Sequence, residues 1–162
     1  MFYEGGIKYL KLVMTAMKML IPVVASTLVG GCLEFGDDIQ LVAPDVTTSE
    51  LEAVTQRTGI DFPQGTVGLG YVFFGSGIDD ALAIKVVIAG KMKARFMEND
   101  LLQGGDGDAA SIQIGRGQSW WTPDKLTERK DYRKDLPQGR YVECTFGKEG
   151  ERWIAYISWI ST

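Results

Sequence analysis

The chain has 162 residues, with 17 basic side chains, 21 acidic side chains and no histidine. The length suits one domain behind a short leader, and the acidic balance argues against nucleic-acid binding, which needs a basic face against the phosphates. The absence of histidine excludes Ser-His-Asp and Cys-His catalysis and removes the commonest zinc ligand. An enzyme with this composition would have to use carboxylates, lysine, tyrosine, serine or an oxygen-bound metal.

The N-terminal part of the chain contains the three regions of a secretory signal. Lys18 supplies a positive charge, residues 19–29 form an apolar run, and residues 30–31 are the small residues of a cleavage site. The run is shorter than the ~20 apolar residues that a membrane-spanning helix needs, and Pro22 disfavours a buried helix there. The sequence therefore predicts a leader over residues 1–31 that is removed.

Four residues at the end of this leader, Val29-Gly30-Gly31-Cys32, resemble the lipobox of bacterial lipoproteins. The resemblance covers residues 17–32 and departs from the commonest pattern at Leu28, Val29 and Gly30. It implies cleavage before Cys32, diacylation of the Cys32 sulfur with chains such as palmitate, and frequent acylation of the new amino group. Two or three acyl chains anchor a protein stably.

The segments on either side of this motif refine the prediction. Residues 1–16 fit a leader poorly, so we expect translation to begin at Met14 or Met17. The residues from Leu33 to 46 are acidic and contain a proline, which predicts a solvated tether after the lipidated Cys32. Because Leu33 rather than Asp follows the cysteine, the resemblance implies an outer-membrane lipoprotein facing the periplasm if the organism has two membranes.

Residues 47–162 are predicted to form one α+β domain, in which an antiparallel sheet of four to five strands is packed by one or two helices. One helix is predicted over residues 47–59, capped by Thr48 or Ser49, because acidic residues follow the cap and a glycine closes the segment. A second helix is predicted over residues 89–102, whose apolar residues share one face.

Two hairpins supply the predicted strands. The first joins residues 67–76 to residues 81–88 through the GSGIDD turn. The second joins YVECTF, which contains a buried Cys144, to RWIAYISWI around residues 147–150. Alternate residues of the last strand are apolar on both sides, so we expect this strand to be central. The charge-dense segment 124–140 is predicted to be an exposed connection.

The GSGIDD turn brings Ser76, Asp79 and Asp80 together. Paired carboxylates beside a hydroxyl suit recognition or acid–base chemistry, but glycine and aspartate are also the ordinary residues of a tight turn. Further along, Asp106 and Asp108 resemble a fragment of a calcium loop that lacks its third ligand and its closing glutamate. A plain loop is favoured there over a weak calcium site, and no cofactor is predicted.

Trp120 and Trp121 are a second recognition candidate. Adjacent residues of an extended segment point to opposite sides, so we expect one of these two rings to be exposed. An exposed tryptophan can anchor a protein partner or stack on a glycan.

The sequence favours a membrane-anchored binding or structural module of the cell envelope over an enzyme. Its expected partners are the membrane, through the lipid on Cys32, and an envelope protein or glycan. One alternative is a hydrolase that pairs Asp79 or Asp80 with Asp106 or Asp108 across a cleft. Another is a small inhibitor that inserts the acidic GSGIDD turn into a basic hydrolase.

Overall fold

The structure, a computed structural model, describes residues 38–75, 79–104 and 114–161. The chain divides into two units, Met1–Glu34 and Phe35–Thr162, and all of the described residues belong to the second unit. This unit is an α+β domain built on an antiparallel sheet.

The sheet consists of two three-stranded meanders that meet at their last strands. Its six strands are β1 (Ile39–Val42), β2 (Val67–Phe74), β3 (Ala81–Ile88), β4 (Thr127–Asp135), β5 (Tyr141–Glu149) and β6 (Arg152–Ile160). Their spatial order is β1-β2-β3-β6-β5-β4, and every neighbouring pair is antiparallel. The pairing of β3 with β6 therefore joins the two halves, and β1 and β4 are the edges.

The described helices are α1 (Thr48–Thr58), α2 (Lys93–Met97) and α3 (Asp100–Gln103). A capping box starts α1, because the Thr47 hydroxyl accepts from the Ser49 N–H at 3.2 Å while the Glu50 carboxylate accepts from the Thr47 N–H at 2.7 Å. Gly59 ends α1 in the left-handed region, with φ +73°. None of these described helices is long and apolar enough to cross a bilayer.

The three helices cover one face of the sheet, called the helix face here. A row of side chains in register crosses this face from edge to edge: Leu41, Tyr71, Ile84, Ile157, Cys144 and Tyr132. Val54 of α1 and Phe96 of α2 are fully buried in the same cluster. Burial raises the pKa of the Cys144 thiol well above its usual range, so this thiol is inert in the core.

The opposite face, called the second face, is covered by residues 114–126. Leu126 is buried there with Ile154 and Tyr156 of β6, and Trp121 packs against the same cluster. The Trp121 ring meets the Tyr156 ring edge-on at 5.2 Å, and the Thr122 hydroxyl lies 3.1 Å from the Tyr156 hydroxyl. Strand β6 is therefore covered on both faces.

A buried ion pair crosses the second face. Lys85 of β3 has a side chain only 8% exposed, and its ammonium nitrogen lies 3.1 and 3.0 Å from the two carboxylate oxygens of Glu149. The same ammonium lies 5.1 Å from the centre of the Tyr156 ring. The aromatic face and the carboxylate together replace the water that Lys85 loses on burial.

Much of the predicted hairpin structure is confirmed. β3 spans residues 81–88 as predicted, and β6 lies at the centre of the sheet with apolar residues buried on both faces. The second hairpin turns two residues later than predicted, because β5 continues to Glu149 and the turn is formed by Gly150 and Glu151.

The prediction of four to five strands was wrong, because the sheet has six. β1 lies inside the segment expected to be a tether, and β4 lies inside the segment expected to be an exposed connection. Both are edge strands with mostly exposed side chains, so neither shows the apolar pattern of a buried strand.

The helix expected over residues 89–102 is broken into the 3₁₀ turn Gly90–Met92, α2 and α3. The break coincides with Asn99, whose side-chain amide donates to the Phe96 carbonyl at 2.7 Å and whose side-chain oxygen accepts from the Asp61 N–H at 2.6 Å. Such side-chain bonds compete with the helical ladder. The cap of α1 was also misplaced by a residue or two, since Thr47 caps the helix instead of Thr48 or Ser49.

We predict that the two halves of the Lys85–Glu149 pair contribute unequally to stability. Glu149→Gln leaves a buried ammonium group without its counter-charge and should lower the free energy of unfolding by about 3 kcal/mol. Lys85→Met removes the partner of Glu149, but the Glu149 side chain is 27% exposed and can still be hydrated. The free energy of unfolding should therefore fall less for Lys85→Met than for Glu149→Gln. Urea unfolding followed by tryptophan fluorescence measures both, and an equal or larger loss for Lys85→Met would contradict this account.

Candidate functional site

Several predicted site residues lie outside the described residues. They are Cys32, Ser76, Asp106 and Asp108. Lipidation of Cys32 and a weak calcium site at Asp106 and Asp108 therefore stay predictions. Within the described part of the chain, no group of three or more His, Cys, Asp or Glu side chains is placed to hold a metal ion.

The GSGIDD segment lies between β2 and β3, and its described residues are Gly75, Asp79 and Asp80. Asp79 is exposed and Asp80 is half-buried. The Asp80 carbonyl accepts a hydrogen bond from the Ser161 N–H at 2.8 Å, which ties this turn to the residue after β6. This bond fixes the backbone at Asp80, and the recognition roles of Asp79 and Asp80 stay predictions.

Trp120 and Trp121 do not point to opposite sides as expected. Both rings are half-buried, and they meet edge-on with their centres 5.7 Å apart. Each ring lies against a glycine, since a β-carbon at Gly70 would collide with Trp120 and one at Gly115 would collide with Trp121. The pair therefore forms part of the cover over the second face, and its recognition role stays a prediction.

The charged side chains of β4 and β5 on the second face are paired with one another. Arg133 donates to Glu143 at 3.1 Å, and Arg129 donates to Asp131 at 2.9 and 3.1 Å. The Thr145 hydroxyl also donates to Asp131, at 2.6 Å. Burial raises the pKa of the Glu143 carboxyl, and the attraction of Arg133 opposes that shift. The Arg133–Glu143 and Thr145–Asp131 bonds hold the two strands together, and Arg129 also reaches Asp124 outside the sheet.

The best candidate for a ligand site lies on the helix face, where α2 approaches β4. It is a crevice of about 300 Å³. The crevice is lined by Lys93 and Met97 of α2, Glu128, Arg129 and Lys130 of β4, Phe146 of β5 and Trp153 of β6. We call it the Trp153 crevice. Its volume lies at the lower end of the range for small-molecule sites.

Aromatic rings form the floor of the Trp153 crevice. The rings of Trp153 and Phe146 are stacked, with their centres 5.2 Å apart and an angle of 15° between their planes. Phe146 is buried and packs in turn against Phe96 of α2, whereas Trp153 is half-buried. The floor is therefore fixed by the main core, while part of the indole remains accessible.

Two lysine ammonium groups lie near this aromatic floor. The Lys93 ammonium lies 3.5 Å from the centre of the Trp153 ring, and the Lys148 ammonium lies 5.0 Å from it. Lys148 is the direct cross-strand partner of Trp153, so the sheet register places both side chains on the same face. Lys93 reaches the ring from the first residue of α2.

One carboxylate enters this cationic crevice. Glu128 lies in a bulge of β4 with φ +51°, a left-handed conformation that is uncommon for a residue with a side chain. Its carboxylate accepts a hydrogen bond from Lys148 at 2.8 Å, and this bond, together with the charges of Lys148 and Lys93, lowers the pKa of Glu128. The crevice therefore favours a negative charge.

A glycine makes the bulge possible. A β-carbon at Gly147 would lie 2.7 Å from the Thr127 carbonyl oxygen and 3.2 Å from the Arg129 α-carbon, so β4 can approach β5 this closely only because Gly147 lacks one. The sequence contained this signal, because a glycine inside a strand often marks a bulge or a close backbone approach. The prediction missed it by assigning Gly147 to the turn.

Comparison with protein-family models, with curated proteins and with solved structures gives no match.

Glu143 and Glu128 predict opposite dependences of stability on pH. The raised pKa of Glu143 means that the folded state binds more protons than the unfolded state, so this group lowers stability as pH rises from about 4 through its folded pKa. The lowered pKa of Glu128 means the reverse, with stability gained as pH rises and lost again below its folded pKa. Glu143→Gln should therefore gain stability relative to the wild type as pH rises, and Glu128→Gln should lose it.

Urea unfolding of both variants and of the wild type at pH 3, 4, 5, 6 and 7 checks these signs. Each variant serves as the control for the other, because both replace a glutamate by glutamine in the same sheet. A difference from the wild type that changes in the same direction for both would contradict the assignment.

Proposed function

We propose that the protein is a membrane-anchored lipoprotein of the cell envelope that acts as a binding module, with the Trp153 crevice as its ligand site. The lipid on Cys32 supplies the anchor, and the six-stranded domain presents the crevice. The protein performs no chemistry on its ligand in this proposal.

The support for the anchor is in the sequence. An apolar run of moderate length ends in Val29-Gly30-Gly31-Cys32, the pattern that resembles a lipobox. The described domain begins its first strand at Ile39, seven positions after Cys32.

The observation that carries the binding role is the unequal pairing of charges. On the second face, Arg129, Arg133 and Lys85 each have a carboxylate partner. In the crevice, Lys93 and Lys130 have no ion-pair partner among the described residues. Unpaired cations beside an accessible aromatic ring, in a concave site, are suited to binding an anionic ligand.

The anchor is tested by Cys32→Ser. Intact-mass analysis of the wild-type protein from its native membranes should show a chain that begins at Cys32 and carries added acyl mass. Cys32→Ser should lose that mass and leave the detergent phase on partition, because a chain without acyl groups has no stable hold on the bilayer.

Cys144→Ala is the matched control, since it removes the other cysteine of the chain and should leave the acyl mass unchanged. A wild-type protein that keeps residues 1–31 and partitions into the aqueous phase would refute the anchor.

A further inference from the structure

The Trp153 crevice already holds a carboxylate, that of Glu128. The Glu128 side chain is 57% exposed and the Lys148 side chain is 31% exposed. An ion pair this exposed contributes little to stability, because water screens it and both side chains lose freedom in forming it. An incoming anion can therefore replace Glu128 at small cost.

The crevice is also more positive than Glu128 alone can balance. The ammonium groups of Lys93 and Lys130 line the site, whereas Glu128 is the one carboxylate among its described lining residues. Lys148 lies beside the site, where the Glu128 carboxylate binds it and the charge of Glu151 also acts on it. The Arg129 guanidinium at the rim is engaged by Asp131 and Asp124 on the second face. A ligand that carries a negative charge therefore meets an attractive field inside a domain that is acidic as a whole.

The aromatic floor of the Trp153 crevice also restricts the shape of the ligand. One face of the Trp153 ring is stacked on Phe146, while the Lys93 ammonium lies over the indole. The lysine stem is flexible, so an anion that attracts the ammonium can draw it away from the ring. The negative π face of the indole then suits the C–H face of a sugar ring, whose hydrogens are slightly positive.

We propose that the Trp153 crevice binds an acidic saccharide. The sugar ring lies on Trp153, and its carboxylate replaces that of Glu128 against Lys148 and Lys93. This inference rests on the proposed binding function and names the ligand class of the same site. The concave shape and small volume of the crevice favour one sugar residue over a flat layer of lipid headgroups.

The test is calorimetric titration of the full chain in neutral detergent micelles with trigalacturonate. Lys93→Ala and Lys148→Ala should each raise the Kd about tenfold, because each removes a cation that faces the carboxylate. Glu128→Gln should lower the Kd several-fold, since the competing internal carboxylate is gone. Increasing the salt concentration should weaken binding of the wild type.

Two lysines outside the crevice are the matched controls. Lys91 is exposed and lies two residues before Lys93, and Lys134 is exposed and lies on β4 four residues after Lys130. Lys91→Ala and Lys134→Ala remove the same charge from the protein and should leave the Kd within about twofold of the wild-type value. Galactotriose, which has the same ring without the carboxylate, should bind at least about tenfold more weakly.

Several results would overturn the proposal. These are no heat of binding with trigalacturonate, equal affinity for galactotriose, or equal losses with the control variants. A hexaglutamate peptide, inorganic phosphate or vesicles of phosphatidylglycerol that bind as tightly as trigalacturonate, with the same response to Lys93→Ala, would replace the saccharide by another anion. These failures leave the lipid anchor intact, whereas a wild-type protein without acyl mass refutes the anchor and leaves saccharide binding untouched.

Discussion

The pairing of β3 with β6 is the contact on which the rest of the domain depends. The register runs without a shift from Ala81 opposite Ile160 to Ile88 opposite Trp153. Because side chains alternate between the faces of a sheet, a slip of one residue would move Trp153 from the helix face to the second face. The same register places Lys85 beside Tyr156, so the buried ion pair and the crevice floor are set by one pairing.

The crevice lies where packing holds the backbone in a conformation that the residue type does not favour. Glu128 adopts a left-handed conformation, and the bulge around it requires the missing β-carbon of Gly147. The result is that an acidic side chain enters a group of lysines that would otherwise repel one another. Strained backbone conformations of this kind cluster at ligand and active sites, where the surrounding structure holds them in place.

The sequence predicts the centre of the fold better than its edges. β6 and β3 are dense in apolar residues that must be covered, and this density shows in the sequence. β4 reads as an exposed connection because its charged residues point to both faces of an edge strand, where charge also protects the open edge from pairing with other chains. β1 has four residues, too few for a periodic pattern. The break at Asn99 depends on contacts with Asp61, which lies 38 residues away.

The acidic turn and the tryptophan pair are visible in the sequence, whereas the crevice is not. Ser76, Asp79 and Asp80, like Trp120 and Trp121, are close in sequence, so a linear search finds them. Lys93, Glu128 and Trp153 come from three distant segments and meet only after β3 pairs with β6.

The net charge of the chain does not indicate where a ligand site lies, for a related reason. It describes the whole chain, whereas a ligand responds to the charges within about 8 to 10 Å of it. What separates a binding site from a structural network here is whether the charges are already paired. On the second face Glu143 and Asp131 are each hydrogen-bonded to an arginine. In the Trp153 crevice the lysines outnumber the carboxylate, and that surplus is held over an aromatic ring that the main core keeps in place.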